Sequence, residues 1–200
     1  MTPQIKKLLV WGIFFFLILM IGFSGCGSYN NMVTMDEAVT ANWQQVENQY
    51  QRRLDLIPNL VNTVQGYADF EKSTITAVTE ARAKVGQVKV DASNPESIKQ
   101  FQDAQAGLGS AISRLLVVAE QYPDLKANQN FLDLQSQLEG TENRIATERM
   151  RFNESAQALN TYIRTFPKNL WAGMFGIEKR AYFESDAGAE KAPTVKFNTK

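Results

Sequence analysis

The sequence predicts an all-α fold, an elongated antiparallel bundle of three to four long helices behind an N-terminal membrane anchor. Three observations carry that expectation. Phe131, Leu138, Ile145, Phe152, Leu159 and Phe166 recur at every seventh residue without a slip, a spacing that keeps one stripe of a helix facing its neighbours. Trp43, Tyr50, Ile57, Val64, Val78 and Val85 fall on a second seven-residue register, interrupted only at Glu71. No segment alternates apolar and polar residues for long enough to make a strand, and Val88-Lys89-Val90 is too short to stand alone.

The chain opens with Lys6-Lys7, an apolar run over residues 8–23, and the small residues Ser24-Gly25 ahead of Cys26, its one cysteine. This is the layout of a secretory signal of the lipoprotein type. Small residues admit the peptidase, and the Cys26 thiol is the group that a diacylglyceryl chain would alkylate. Each buried methylene contributes about 0.8 kcal/mol, so two acyl chains anchor stably where one does not. Phe23 stands where an aliphatic residue is usual. The competing reading is an uncleaved transmembrane helix: residues 8–26 carry no charge, and about 20 apolar residues span a bilayer. Trp11 and Tyr29 would then suit the two interfaces. A plainer third reading makes Cys26 a buried structural cysteine after an ordinary signal. In both membrane readings Lys6 and Lys7 hold the N-terminus in the cytoplasm. The helical domain is then extracytoplasmic, in the periplasm or on the outer surface. Residues 1–26 are expected to form the signal or anchor, 29–184 the bundle and 185–200 a disordered tail.

Met32, Val39, Val46, Leu60 and Tyr67 run beside the second register. They predict a helix that continues through Pro58 with a kink, because the apolar register carries on past the ring, and that ends near Gly86. Residues 87–95 read as a loop punctuated by Asn94-Pro95. A helix over residues 96–120 is expected to bury Ile98, Phe101, Leu108, Ile112, Leu115, Leu116 and Ala119. Gly107 and Gly109 weaken it by up to about 1 kcal/mol each, or admit a close neighbour. Tyr122-Pro123-Asp124 breaks the chain before the longest predicted helix, residues 125–165, roughly 60 Å at 1.5 Å per residue. Leu134, Ala156, Tyr162 and Ile163 fill its seam, whereas Thr141, Glu148 and Ser155 interrupt it, which favours a bundle over a two-stranded rope. Phe166-Pro167 stops that helix, and a short apolar piece follows over residues 170–177. From Ser185 the composition turns to Ala, Gly, Lys and Thr without a core pattern.

Composition excludes several function classes. Lys plus Arg and Asp plus Glu balance at 21 each, so no global field draws in nucleic acid. One cysteine permits no internal disulfide, and the absence of histidine removes the commonest general base and metal ligand. The sequence has no paired carboxylates in an apolar setting, no CxxC or metal-ligand spacing, and no glycine-rich loop after a strand. The expectation is a protein that is not an enzyme and carries no cofactor or metal.

Arg52, Arg53 and Asp55 lie within one helical turn. As exposed ion pairs they would contribute well under about 1 kcal/mol. Arg53, however, falls on the apolar register of Val46 and Leu60, and a buried arginine has to be paired. Contact with a partner protein is the alternative. Pro58 and Asn59 read as a kink with local backbone satisfaction. Trp171 and Phe175 either close the core or, left exposed, form an apolar patch for a membrane surface or a partner.

Several blocks then fall in a characteristic order. They are Ser28-Tyr29-Asn30-Asn31-Met32-Val33, Trp43, Gln51-Arg52-Arg53-Leu54-Asp55-Leu56-Ile57-Pro58-Asn59-Leu60-Val61, Gly66-Tyr67-Ala68, Ala81-Arg82, and Glu120-Gln121-Tyr122-Pro123-Asp124-Leu125-Lys126-Ala127. Thr141-Glu142, Arg149, Phe152-Asn153 and Phe166-Pro167 complete the series. The series resembles the LemA family of bacterial membrane proteins, over residues 29 to about 181. The resemblance implies an elongated antiparallel helical bundle behind an N-terminal membrane segment, and brings no catalytic residues with it. Many members lack a cysteine at the end of the anchor, so Cys26 leans this chain toward lipidation. The expected function is a membrane-anchored scaffold or interaction protein of the cell envelope, with an envelope protein as partner or self-association along its helices. The alternative is a binding module that couples a ligand or protein signal to an envelope protease or transporter. Such a module calls for a cavity lined by Thr141, Glu148 and Ser155.

Overall fold

A computed structural model describes residues 3–66 and 71–184, without the side chains of residues 3–10, 17–19 and 21–23. Every regular element among them is a helix: α1 (Pro3–Gln65), α2 (Lys72–Gln87), α3 (Pro95–Ala119), α4 (Pro123–Lys126), α5 (Gln129–Arg164) and α6 (Lys168–Phe175). The expected tail at 185–200 and the motif residues Tyr67 and Ala68 lie outside the described residues. Among the described residues no helix is long and apolar enough to cross a membrane. The side chains of much of the apolar run at 8–23 fall outside that description.

The helices pack chiefly as two pairs, α1 with α5 and α2 with α3, and their buried faces merge into one core. Cross-links give the directions. Asn31 meets Tyr162 while Arg53 meets Glu142, so α5 runs antiparallel to α1. Trp43 touches Phe101 and Arg53 lies over Gly109, so α3 runs parallel to it. Met32, Val46, Leu60 and Val64 on α1 and Phe152, Ala156 and Leu159 on α5 are wholly excluded from water, the facing stripes that the seven-residue registers mark out.

The structure corrects three boundaries. The helix through Pro58 ends at Gln65 rather than near Gly86, and α2 begins at Lys72. Val78 and Val85 are buried, but on a helix that has reversed direction, so their place in the register is coincidental. The longest predicted helix starts at Gln129 rather than at Leu125, which sits in the one-turn α4. Asn128 caps α5 by accepting the Phe131 N–H at 3.2 Å, which satisfies one of its orphan donors. Phe166, sixth in the first register, lies beyond the end of α5 and is 79% exposed. Leu116 is only partly buried.

α3 begins as its sequence dictates. Asn94 Oδ1 accepts from the N–H groups of Glu96 and Ser97 at 2.9 and 3.4 Å, and Pro95 takes the first-turn position where no N–H is needed. In the loop before it, the Ser93 hydroxyl and then its N–H hold the Asp91 carboxyl below the usual carboxylate range. With a folded value lower than the unfolded one, that contribution to stability is present at neutral pH and is lost as pH falls through the folded value.

Pro58 sits inside α1. Its ring nitrogen has no proton, so the Leu54 carbonyl four residues earlier loses its helical donor. Arg82 of α2 supplies the replacement, its Nε donating to the Leu54 oxygen at 3.1 Å. Pro58 and the Ala81-Arg82 motif are thus two halves of one hydrogen-bond arrangement. Arg82→Met should destabilise the protein by about 1–2 kcal/mol by leaving a partly buried carbonyl unpaired. The same change in a Pro58→Ala background should have a clearly smaller effect, because alanine at that position restores the N–H. A double-mutant cycle by chemical denaturation reads the difference.

Candidate functional site

The polar block on α1 does not form one cluster. Arg52, Asp55 and Asn59 are exposed. Asp55 accepts from Gln51 Nε2 at 2.7 Å along the helix surface. Arg53 alone turns inward: its side chain is 8% exposed and its Nη1 lies 3.1 Å from Glu142 Oε2 on α5. Its guanidinium also passes over Gly109 of α3, where a Cβ would come within 2.9 Å of Nη2. Gly109 therefore makes room for the arginine, and Arg53 ties three helices together. A groove of about 260 Å³ lined by Arg53, Gly109, Ser113, Leu138, Glu139 and Glu142 opens beside it.

The second place of interest is the end of α5 and the start of α6. Cys26 is exposed there. Trp171 packs against α1 at Gly25, with its nearest ring carbons 3.2 Å from where a Cβ would stand, so a small residue at 25 is what permits the contact. Phe175 packs on Tyr29 with ring centroids 4.8 Å apart, and the Lys168 ammonium sits 3.9 Å over the Tyr162 ring. Trp171 is thus half-buried and Phe175 remains 40% exposed.

The third feature was not legible as a site. Gly176 ends α6 in the left-handed conformation, φ 68°, and the Ile177 N–H closes onto the Ala172 carbonyl at 3.0 Å. Residues 177–184 then run without helix along the core as a strap. Side-chain amides read its backbone. Asn160 accepts from the Arg180 N–H and donates to the Arg180 carbonyl, both at 2.8 Å. Asn153 does the same for Phe183, at 2.9 and 3.0 Å, and Gln102 for Glu184, at 3.3 and 3.0 Å. Arg149 adds a donor to the Glu184 carbonyl at 2.8 Å.

The spacing explains the fit. Asn153 and Asn160 stand seven residues apart on a helix, about 10.5 Å, and Arg180 and Phe183 stand three apart in extended chain, about 10 Å. The Phe183 ring stacks on Trp43 at 5.7 Å and meets Phe152 edge-on at 5.5 Å. The Arg149 guanidinium lies 4.9 Å from its centroid. Arg180 holds Asp36 through two nitrogens, at 2.8 and 2.7 Å. Trp43, Arg149 and Phe152-Asn153, scattered in sequence, therefore converge on one strap residue. The available signal was the pair of asparagines two turns apart beside the core stripe of α5.

Thr141 and Ser155 turn their hydroxyls back onto carbonyls of their own helix, Gln137 and Phe152, at 2.7 and 2.8 Å. Glu148 pairs with Arg151 at 2.8 Å. The three polar interruptions of the α5 seam are satisfied locally rather than around a cavity. Among the described residues no group of three or more Cys, Asp or Glu is placed to hold a metal ion.

The pattern of the LemA family matches residues 42–197. Magnetosome protein MamQ 2 of Paramagnetospirillum magneticum is 29% identical over 175 residues, covering 78% of this chain and 64% of that protein. Magnetosome protein MamQ of Magnetospirillum gryphiswaldense is 28% identical over 180 residues, covering 80% and 66%. Protein LemA of Metamycoplasma hominis is 28% identical over 190 residues, covering 91% and 84%. The chain thus spans 64% of the length of the first of these relatives.

Proposed function

The chain belongs to the LemA family, and from that premise we propose that it is a membrane-anchored, non-enzymatic helical scaffold of the bacterial envelope. Cys26 is its lipid-attachment point, and the helical domain lies outside the cytoplasm. The observation that carries this reading is α1 itself. One continuous helix joins the uncharged N-terminal stretch to the core, and Trp11, Ile13, Phe14, Phe15, Phe16 and Met20 project from it with 52–69% of their surface exposed. So many uncovered large apolar side chains on one segment call for a lipid or signal-processing environment. The polar motif residues support a structural role, since Arg53, Arg82 and Asn153 are engaged in holding helices and strap together. The local satisfaction of Thr141, Glu148 and Ser155 favours a scaffold over a ligand receptor.

Intact mass of the protein extracted from membranes in detergent tests the anchor. The expected species begins at Cys26 and is heavier by a diacylglyceryl or triacyl group, whereas a mass beginning at Met1 replaces the lipid anchor by an uncleaved helix. Cross-linking in native membranes tests the scaffold. Discrete adducts with envelope proteins or with a second copy are expected, and a chain that stays monomeric overturns the reading.

A further inference from the structure

We propose that the turn after α5 and the outer face of α6, carrying Phe166, Leu170 and Met174, form a second membrane contact, immersed in the interfacial layer of the bilayer that holds the anchor. The proposal rests on the anchorage proposed above.

Height along α1 is the first argument. Tyr162 is level with Asn31, Trp171 with Gly25, Phe175 with Tyr29 and Arg180 with Asp36. α5 therefore descends toward the anchor, the chain turns, and α6 climbs back, so the turn is the lowest point of the domain. Phe166 follows the end of α5, past Tyr162 on the side toward the anchor, and Leu170 adjoins the residue that covers Gly25. Leu170 therefore stands within about one helical turn of Cys26, where either form of anchor meets the lipid surface.

Exposure is the second. Phe166, Leu170 and Met174 are 79%, 60% and 68% exposed, while Trp171 and Ala172 on the other face of α6 pack inward. Helix spacing at 170 and 174 puts both side chains on the same face.

Charge is the third. From residue 155 to 177 the only charged side chains are Arg164 and Lys168, and α1 carries none from residue 8 to 35. Among the described residues, the low end of the domain thus presents apolar groups and cations without a carboxylate. That is the composition of a surface that dips apolar side chains among acyl chains and keeps Lys and Arg at the phosphates. A protein partner would face the same patch without any reason for it to coincide with the height of Cys26.

The test uses the full chain in vesicles of phosphatidylethanolamine and phosphatidylglycerol, with benzoylphenylalanine placed at Leu170 or, as a control remote from the anchor, at Leu132. Flotation reports anchorage, and intact mass after illumination reports what the probe touches. The expected result is flotation of both variants, with lipid adducts at position 170 about tenfold above those at 132, since only an immersed residue meets acyl chains. Flotation without lipid adducts at 170 overturns the second contact and leaves the anchor standing. An adduct of doubled protein mass at 170 overturns it in favour of a second copy of the chain. Failure to float overturns the anchorage and this inference with it.

Discussion

Replacing Phe183 by alanine is expected to lower stability by about 3–5 kcal/mol, the range for emptying a large aromatic site in a core. The ring is 4% exposed and fills the space between Trp43, Phe152 and the Arg149 guanidinium. For a domain of this size the loss corresponds to a fall in Tm of roughly 6–20 °C. Strap residues carry no helical hydrogen bonds of their own, so the damage should appear there first. Hydrogen exchange at the Arg180, Phe183 and Glu184 amides, held by Asn160, Asn153 and Gln102, should accelerate well before the α1–α5 core opens. If those amides instead stay as protected as the core in Phe183→Ala, the ring is not what seats the strap. Asn153→Leu provides the contrast. It preserves the aromatic cluster but leaves the Phe183 N–H and carbonyl unpaired, at about 1–3 kcal/mol.

The second large effect is expected at the Arg53–Glu142 pair, and its size depends on which partner is removed. Glu142→Ala leaves a guanidinium confined among α1, α3 and α5 without its carboxylate. A fully buried charge stranded this way costs about 3–5 kcal/mol. Here Glu142 is 59% exposed and an open groove adjoins the pair, so water offsets part of the penalty and about 1–3 kcal/mol is expected. Arg53→Met removes the charge together with its need for a partner and keeps the apolar stem. It should shift stability by less than about 1 kcal/mol, in either direction. In the Arg53→Met background, Glu142→Ala should then be nearly silent. Urea denaturation of the two single variants and the double decides it, and equal losses from both single changes would remove the buried-charge account.

Much of the core is readable in the sequence, because helical periodicity is a local property. A side chain returns to the same face every 3.6 residues wherever the helix goes, so Val46, Leu60, Leu138, Ile145, Phe152 and Leu159 mark buried faces by spacing alone. Asn94-Pro95 likewise writes its cap within three residues of chain. Arg53 was legible as a buried arginine for the same reason, since it breaks an apolar register, but the spacing does not name Glu142. The break at Gly66 was not legible. Val78 and Val85 continue the count of sevens across a chain reversal, and a register counted along sequence is blind to direction. The start of α5 is marked by the Asn128 cap alone, with no glycine or proline beside it.

Local spacing and composition set the helical class, the stripes that meet in the core and the uncharged stretch that ends at Cys26. Long-range packing alone brings Arg82 to the carbonyl that Pro58 orphans and sets Asn153 and Asn160 against a strap. Those relations join residues far apart in the chain through backbone groups that every residue carries, and a group common to all residues leaves no mark in a sequence.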